Sequence, residues 1–375
     1  MVRLLSALRR RRAASASRVA TVVGGVLAGG AAHAVTLPED TAEAMIHVYQ
    51  GGGITASGPA VLVRKNVADK VSLTGSYYVD MVSNASIDVV TTASPYRERR
   101  DQVDLGVDYA YRDALVTLST SQSKEPDYKA GSASLDISQE VFGGMTTVAL
   151  GFTRGADKVG KKGVGYFDTV KRWQYRLGVT QILTPRWLMS ANVEAISDDG
   201  FLGSPYRVAR VFGAAVPERD PRTRSSRAVK LRAIGDIGEG ATRAAVRGEY
   251  RYFWDNWAIK AHTAELGYTR YFGEQWLADA YVRLYSQRHA LFYSDNAATE
   301  TLYVSRNRQL STFHSVSLGA KVSRTFAKVP GRYEVKAHMA YELMDFRFSD
   351  FTDIRTGSPY SFTANVLQVY VSASF

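Results

Sequence analysis

The chain has 375 residues, 47 Lys and Arg against 36 Asp and Glu, a formal net charge of +11 and no cysteine. Without thiols it has neither disulfide staples nor Cys-bound metal. Beyond the N-terminal segment no run reaches 18 consecutive apolar residues, which excludes a helical membrane protein but not a β-barrel, whose apolar residues occupy every second position.

Residues 1–34 read as a cleaved signal peptide. Arg3, Arg9, Arg10, Arg11, Arg12 and Arg18 form a positive region without acids, residues 19–31 an apolar stretch rich in Gly and Ala, and Ala32-His33-Ala34 the cleavage site. The apolar stretch is too short for a spanning helix, which needs about 20 residues. With these six arginines set aside, the remaining chain carries 41 basic and 36 acidic residues, a net of +5. The high basicity is therefore partly a targeting feature, and nucleic acid is not expected as a partner.

Residues 35–375 read as one domain of repeated hairpins. About sixteen strands are expected, with fourteen to eighteen compatible with the pattern. They lie near 43–51, 57–66, 70–82, 101–112, 114–122, 128–139, 145–156, 169–183, 186–197, 226–236, 241–254, 257–272, 275–290, 310–326, 332–347 and 361–375. Connections alternate between short turns, such as Arg112-Asp113 and Gly273-Glu274, and long polar loops near 83–100, 157–168, 198–225, 291–309 and 348–360. The tight link Asp255-Asn256 is an exception. Sorted loops and an even strand count imply an all-β fold, a transmembrane antiparallel up-and-down barrel. Loops this long can fold inward and narrow a wide pore.

Two faces separate along each strand. Val335, Ala337, Met339, Tyr341 and Leu343 oppose Glu334, Lys336, His338 and Glu342. A barrel of about sixteen strands is too wide for side chains to fill, so the charged face belongs to a wet lumen and the apolar face to lipid. The lumen is then expected to carry an acidic wall of Asp80, Asp104, Asp108 and Asp136. A basic wall of Arg172, Arg176, Lys230, Arg232, Arg243, Arg247 and Arg251 faces it. Either a transverse field acts across the pore, or these groups neutralise one another as internal braces. The terminal strand places Leu367, Val369, Val371, Ala373 and Phe375 on one face. That pattern resembles the signal that bacterial outer-membrane barrels present to their assembly machinery, and it implies bacterial outer-membrane lipid as the surroundings.

Three segments carry unusual sequence: Ala85 to Tyr96, Ser204-Pro205-Tyr206-Arg207, and Asp255 to Thr263. They resemble a family of Gram-negative proteins known as domain of unknown function 3570. The resemblance implies an outer-membrane barrel and brings no activity, substrate or catalytic residues. The aromatics from Tyr250 to Trp257 read as a membrane girdle at a hairpin tip.

Catalytic and metal signals are weak. His314 and Ser315 are strand neighbours and point to opposite faces. His338 shares a face with Glu342. Asp88, Asp198 and Asp199 read as solvated loop acids rather than cation ligands. No catalytic residue, metal or cofactor is expected. The expected function is a channel for a small polar solute. The alternatives are a binding barrel that receives a periplasmic or surface protein and, third, a barrel-embedded enzyme.

Overall fold

The computed structural model describes residues 35–84, 96–239 and 243–375. Residues 1–34, where a signal peptide is expected, residues 85–95 with Asp88, and residues 240–242 lie outside the described residues.

The first nine strands are β1 (Thr41–Gly51), β2 (Ile54–Ala68), β3 (Val71–Asn84), β4 (Tyr96–Tyr111), β5 (Ala114–Lys124), β6 (Tyr128–Val141), β7 (Thr146–Lys161), β8 (Gly165–Thr184) and β9 (Trp187–Gly200). A small hairpin follows, β10 (Val208–Val211) and β11 (Ala214–Pro217). The rest are β12 (Thr223–Asp236), β13 (Ala244–Asp255), β14 (Lys260–Phe272), β15 (Trp276–Gln287), β16 (Phe313–Val329), β17 (Tyr333–Asp353) and β18 (Ser358–Ser374). All except β10 and β11 join one closed antiparallel barrel of 16 strands. The seam pairs β1 with β18, from Thr41 opposite Ser374 to Gly51 opposite Ala364. Closure leaves no open edge, the condition for crossing lipid with strands. Strands about 4.8 Å apart and tilted about 40° give sixteen of them a backbone diameter of roughly 30 Å, wide enough for water.

The expected loop lengths need correction. The long loops at 157–168 and 348–360 are mostly strand: β7 and β8 run on to a tip at 162–164, and β17 and β18 to a tip at 354–357. Likewise β3 and β4 extend into the expected loop at 83–100. Asp198 and Asp199 belong to β9 and not to a loop. Among the described residues two long connections remain, 201–222 and 288–312.

The exterior face is apolar. Leu118, Leu135, Phe152 and Tyr175 stand opposite one another across β5, β6, β7 and β8. Leu266, Leu284, Leu318 and Met339 continue the exposed apolar surface on β14 to β17. Exposed apolar area on this scale does not persist in water and marks a lipid-facing belt. Leu367, Val369, Val371 and Ala373 share this outer face, opposite Val48, Ile46, Ala44 and Ala42 on β1. Phe375 follows at the end of β18, half exposed, beneath the Lys65 ammonium at 4.9 Å.

Candidate functional site

The lumen is lined by the opposite parity of each strand. Ten of the eleven expected wall residues lie on barrel strands and face inward. Arg243 instead sits in the turn before β13, with its guanidinium 5.4 Å from the Tyr271 ring. The basic residues are mostly paired. Arg172 meets Asp198 at 2.6 Å, Arg176 meets Asp136 at 2.7 Å, Lys230 meets Glu249 at 3.3 Å and Arg251 meets Glu194 at 3.5 Å. Arg247 bridges Glu265 and Asp279, and Arg283 bridges Glu265 and Glu342. Arg232 keeps a buried Nε without a hydrogen-bond partner among the described residues. The wall from β6 round to β17 is therefore an ion-pair lattice.

Glycines make the lattice possible. Asp136, Gly151 and Arg176 lie in one row across β6, β7 and β8. A Cβ on Gly151 would fall 2.2 Å from Asp136 Oδ1 and 2.7 Å from Arg176 Nε. The pair can thus reach across the middle strand and lie flat on the wall only because that position has no side chain.

The acidic wall is held differently. His47 Nε2 lies 2.9 Å from Asp80 and 2.7 Å from the Tyr78 hydroxyl, and its ring stacks on Tyr78 at 4.6 Å. The Ser76 hydroxyl donates to Asp104, and the Thr117 hydroxyl donates to Asp108. Hydroxyls thus donate to Asp104 and Asp108, and an imidazole meets Asp80. His338 contacts the hydroxyls of Ser323 and Ser372 at 2.7 and 2.9 Å and stacks on Tyr370. Serines occupy both ring nitrogens, where a triad would place a carboxylate on one.

A lid crosses the outer mouth. Connections 201–222 and 288–312 are stitched by paired backbone bonds between Arg219 and Val304 at 2.9 and 3.0 Å. Further stitches run from Arg306 N–H to Glu218 Oε1 at 2.8 Å and from Ala297 N–H to the Arg210 carbonyl at 2.8 Å. One end is tied to the tips of β5–β6 and β7–β8: the Tyr206 hydroxyl donates to Asp127 and accepts from Lys162 N–H. The other end is tied to β17, where the Tyr293 hydroxyl donates to the Asp350 carbonyl and Arg306 to the Thr352 carbonyl. These anchors are about half a circuit apart in the strand order, so the joined loops span the mouth.

The lid sits on an aromatic shelf. Phe313, Phe346, Phe348 and Phe362 are on inward registers at the outer ends of β16, β17 and β18. Trp257, Ile259, Tyr293, Leu310 and Phe351 pack with them. Trp257 thus belongs to the lid core, its Nε1 donating to the Thr223 carbonyl, and not to the girdle. Tyr252 and Trp254 do lie on the outer face and stack on each other. The sequence signal was a change of phase. On β17 the apolar residues are Met339, Tyr341 and Leu343, then Phe346 and Phe348. That switch from odd to even marks where the outer face leaves lipid and the inner face becomes covered. Phe351 is fully buried. Phe351→Ala is expected to cost the lid about 3 kcal/mol or more. Limited proteolysis should then cut within 201–222 or 288–312, while the barrel keeps its heat-modifiable gel mobility.

Burial also perturbs the acids of the lid. Glu218 is pushed up to about 7 by desolvation, against the opposing pull of Arg207. Asp220 is raised by the same cause. Glu218 Oε2, Asp220 Oδ1 and Arg207 Nη2 are buried without hydrogen-bond partners among the described residues.

Residues 161–343 match the family described as protein of unknown function (DUF3570), the family that the loop segments resemble. The segments at Ser204 and Asp255 fall inside the match, and the one at Ala85 falls before it. No curated protein matches the sequence. Among solved structures, a bacterial polysaccharide outer membrane secretin aligns over 89% of this chain and 97% of its own, with 9% identity and a TM-score of 0.50. CdiB from Acinetobacter baumannii aligns over 89% of this chain and 60% of its own, with 8% identity and a TM-score of 0.49. The CymD monoaromatic hydrocarbon channel aligns over 90% and 88%, with 11% identity and a TM-score of 0.43. At 9% identity, the likeness to the secretin speaks to the fold, that of an outer-membrane barrel, and to nothing finer.

Proposed function

We propose that the chain is an outer-membrane channel for small polar solutes, with an ion-paired lumen and a two-loop lid that controls its outer mouth. The observation that carries this reading is the polar, charge-laced inner wall inside a closed barrel of 16 strands with an apolar exterior. A barrel of this width holds water, and its charges would otherwise be costly to enclose. The lattice favours bracing over a transverse field, because the basic sector brings its own acids. Proteoliposomes carrying the barrel should admit small charged and zwitterionic solutes, and exclusion of all of them would count against the channel.

The walls give a sharper test. Arg251→Gln removes a positive charge beside Glu194, so the reversal potential in a salt gradient should move toward cations. Arg251→Gln with Glu194→Gln should leave it near the wild-type value. A large shift in the double variant would restore the transverse field.

A second reading, a binding barrel for a protein partner, draws on the outer surface of the lid, where Phe212, Leu291 and Leu302 are more than 70% exposed (72%, 81% and 75%). A barrel that stays silent in bilayers, yet retains a partner through these three residues, would favour it.

A further inference from the structure

The outer face of β5 to β8 carries a feature that a channel does not need. Lys124, Lys129 and Lys158 stand directly opposite one another across β5, β6 and β7. All three are exposed on the outward parity shared with Leu118, Leu135 and Leu150. Like charges in adjacent strands on one face repel and destabilise the pairing. Two more cations lie between this row and the apolar belt. Lys171 stands opposite Ala156, and Arg154 opposite Trp173, its guanidinium 4.7 Å from the indole. Among the described residues no carboxylate forms an ion pair with any of the five. Asp101, next in the lysine row, is held by Arg99 and the Tyr77 hydroxyl. Asp199 stands opposite Lys171 without pairing to it.

The surroundings suit a headgroup. Below the cations lies the row Leu118, Leu135, Phe152, Tyr175, which belongs to the lipid-facing belt. Between belt and lysines the surface is floored by Gly131, Ala133 and Ala156, leaving a shallow depression among long cationic side chains. Tyr166 lies 5.1 Å from the Lys129 ammonium and, with Trp173, rims it with interfacial aromatics. Lys158 and Arg154 are four residues apart on one strand, about 13 Å. Two cationic groups at that separation, at the outer edge of the belt, fit two phosphates on one headgroup.

We propose that this face binds a doubly phosphorylated glycolipid of the outer leaflet, with the Lys124, Lys129 and Lys158 row on one phosphate and Arg154 and Lys171 on the other. The inference rests on the outer-membrane reading and not on conduction. The full barrel, refolded in detergent and checked by heat-modifiable mobility, would be mixed with diphosphoryl lipid A and examined by native mass spectrometry. The wild type should retain one lipid per barrel. Lys124→Gln/Lys129→Gln/Lys158→Gln should lower retention at least about tenfold. Arg154→Gln/Lys171→Gln, which touches only the other group, should also lower it, and monophosphoryl lipid A should bind more weakly than the diphosphoryl form. Equal retention by the folded triple variant would overturn the proposal. So would equal binding of the two lipids, or displacement by millimolar inorganic phosphate, which would make the face a site for the free anion. Retention is read without any current, so a silent barrel that keeps the lipid contradicts the channel alone.

Discussion

Gly51→Val should leave the barrel unable to close its seam. Gly51 lies opposite Ala364 where β1 meets β18, and Ala364 is fully buried. A Cβ on Gly51 would fall 2.2 Å from the Ala364 Cβ and 2.5 Å from its Cα. The obstruction is partly backbone, so no rotamer relieves it. Overpacking of this kind costs typically 1–3 kcal/mol where side chains can adjust, and more where they cannot. The upper seam, including Gln50 opposite Asn365, would have to part. An open edge in lipid strands unpaired amides, so the expected result is loss of most heat-modifiable barrel rather than a small shift. Gly248→Val is the matched control. It sits within β13, and nothing lies within 4 Å of its added Cβ. It should fold at wild-type yield. Wild-type yield for Gly51→Val would show that the seam is not the tight closure described.

The lid should loosen as pH rises through about 7. Glu218 is one of the stitches between the two loops, accepting from the Arg306 amide, and burial raises its pKa from 4.5 to about 7. The closed lid therefore binds this proton more tightly than an open lid, in which Glu218 meets water. Stability gained from it is fully present below the ordinary carboxyl value and is lost as pH rises through the raised one. A difference of this size is worth at most about 3 kcal/mol. Asp220, raised by the same burial, acts in the same direction. Arg207, beside both acids, and Arg224, beside Asp220, oppose the effect of burial without reversing its sign. The open fraction of single channels should rise several-fold between pH 5.5 and 8.5. Glu218→Gln, which mimics the protonated acid, should flatten that dependence and hold the lid closed at high pH. A wild-type open fraction that falls with pH would contradict the role of Glu218 in holding the lid.

The barrel was legible because strand alternation has a period of two and writes itself directly into the sequence. Val335, Ala337, Met339, Tyr341 and Leu343 needed no partner to reveal their face. The seam was legible for the same reason in Leu367, Val369 and Val371. The ion-pair lattice was only half legible. Arg176 and Arg247 could be placed on the inner face, but their partners Asp136 and Asp279 come from the next strand but one, and only register brings them together. The basic wall therefore looked more one-signed than it is, since Glu194, Asp198, Glu249 and Glu265 were not counted against it. Gly151, which lets Asp136 and Arg176 lie flat, carries no signal in the alternation of its strand. The lid was least legible. Its stitches join residues about 80 or more positions apart, such as Arg219 and Val304 or Glu218 and Arg306, and no local pattern encodes such pairing. Its seat left one trace, the phase switch between Leu343 and Phe346, which passed as ordinary strand.

Current through the purified barrel in a planar bilayer tests the central claim most directly, with wild type compared with a variant whose residues 203–221 are replaced by a short Gly-Ser link. Both should give discrete conductance steps, larger and always open in the variant, and pH-dependent in the wild type alone. No steps from either protein, with both shown to be folded, would contradict a water-filled channel beneath a lid.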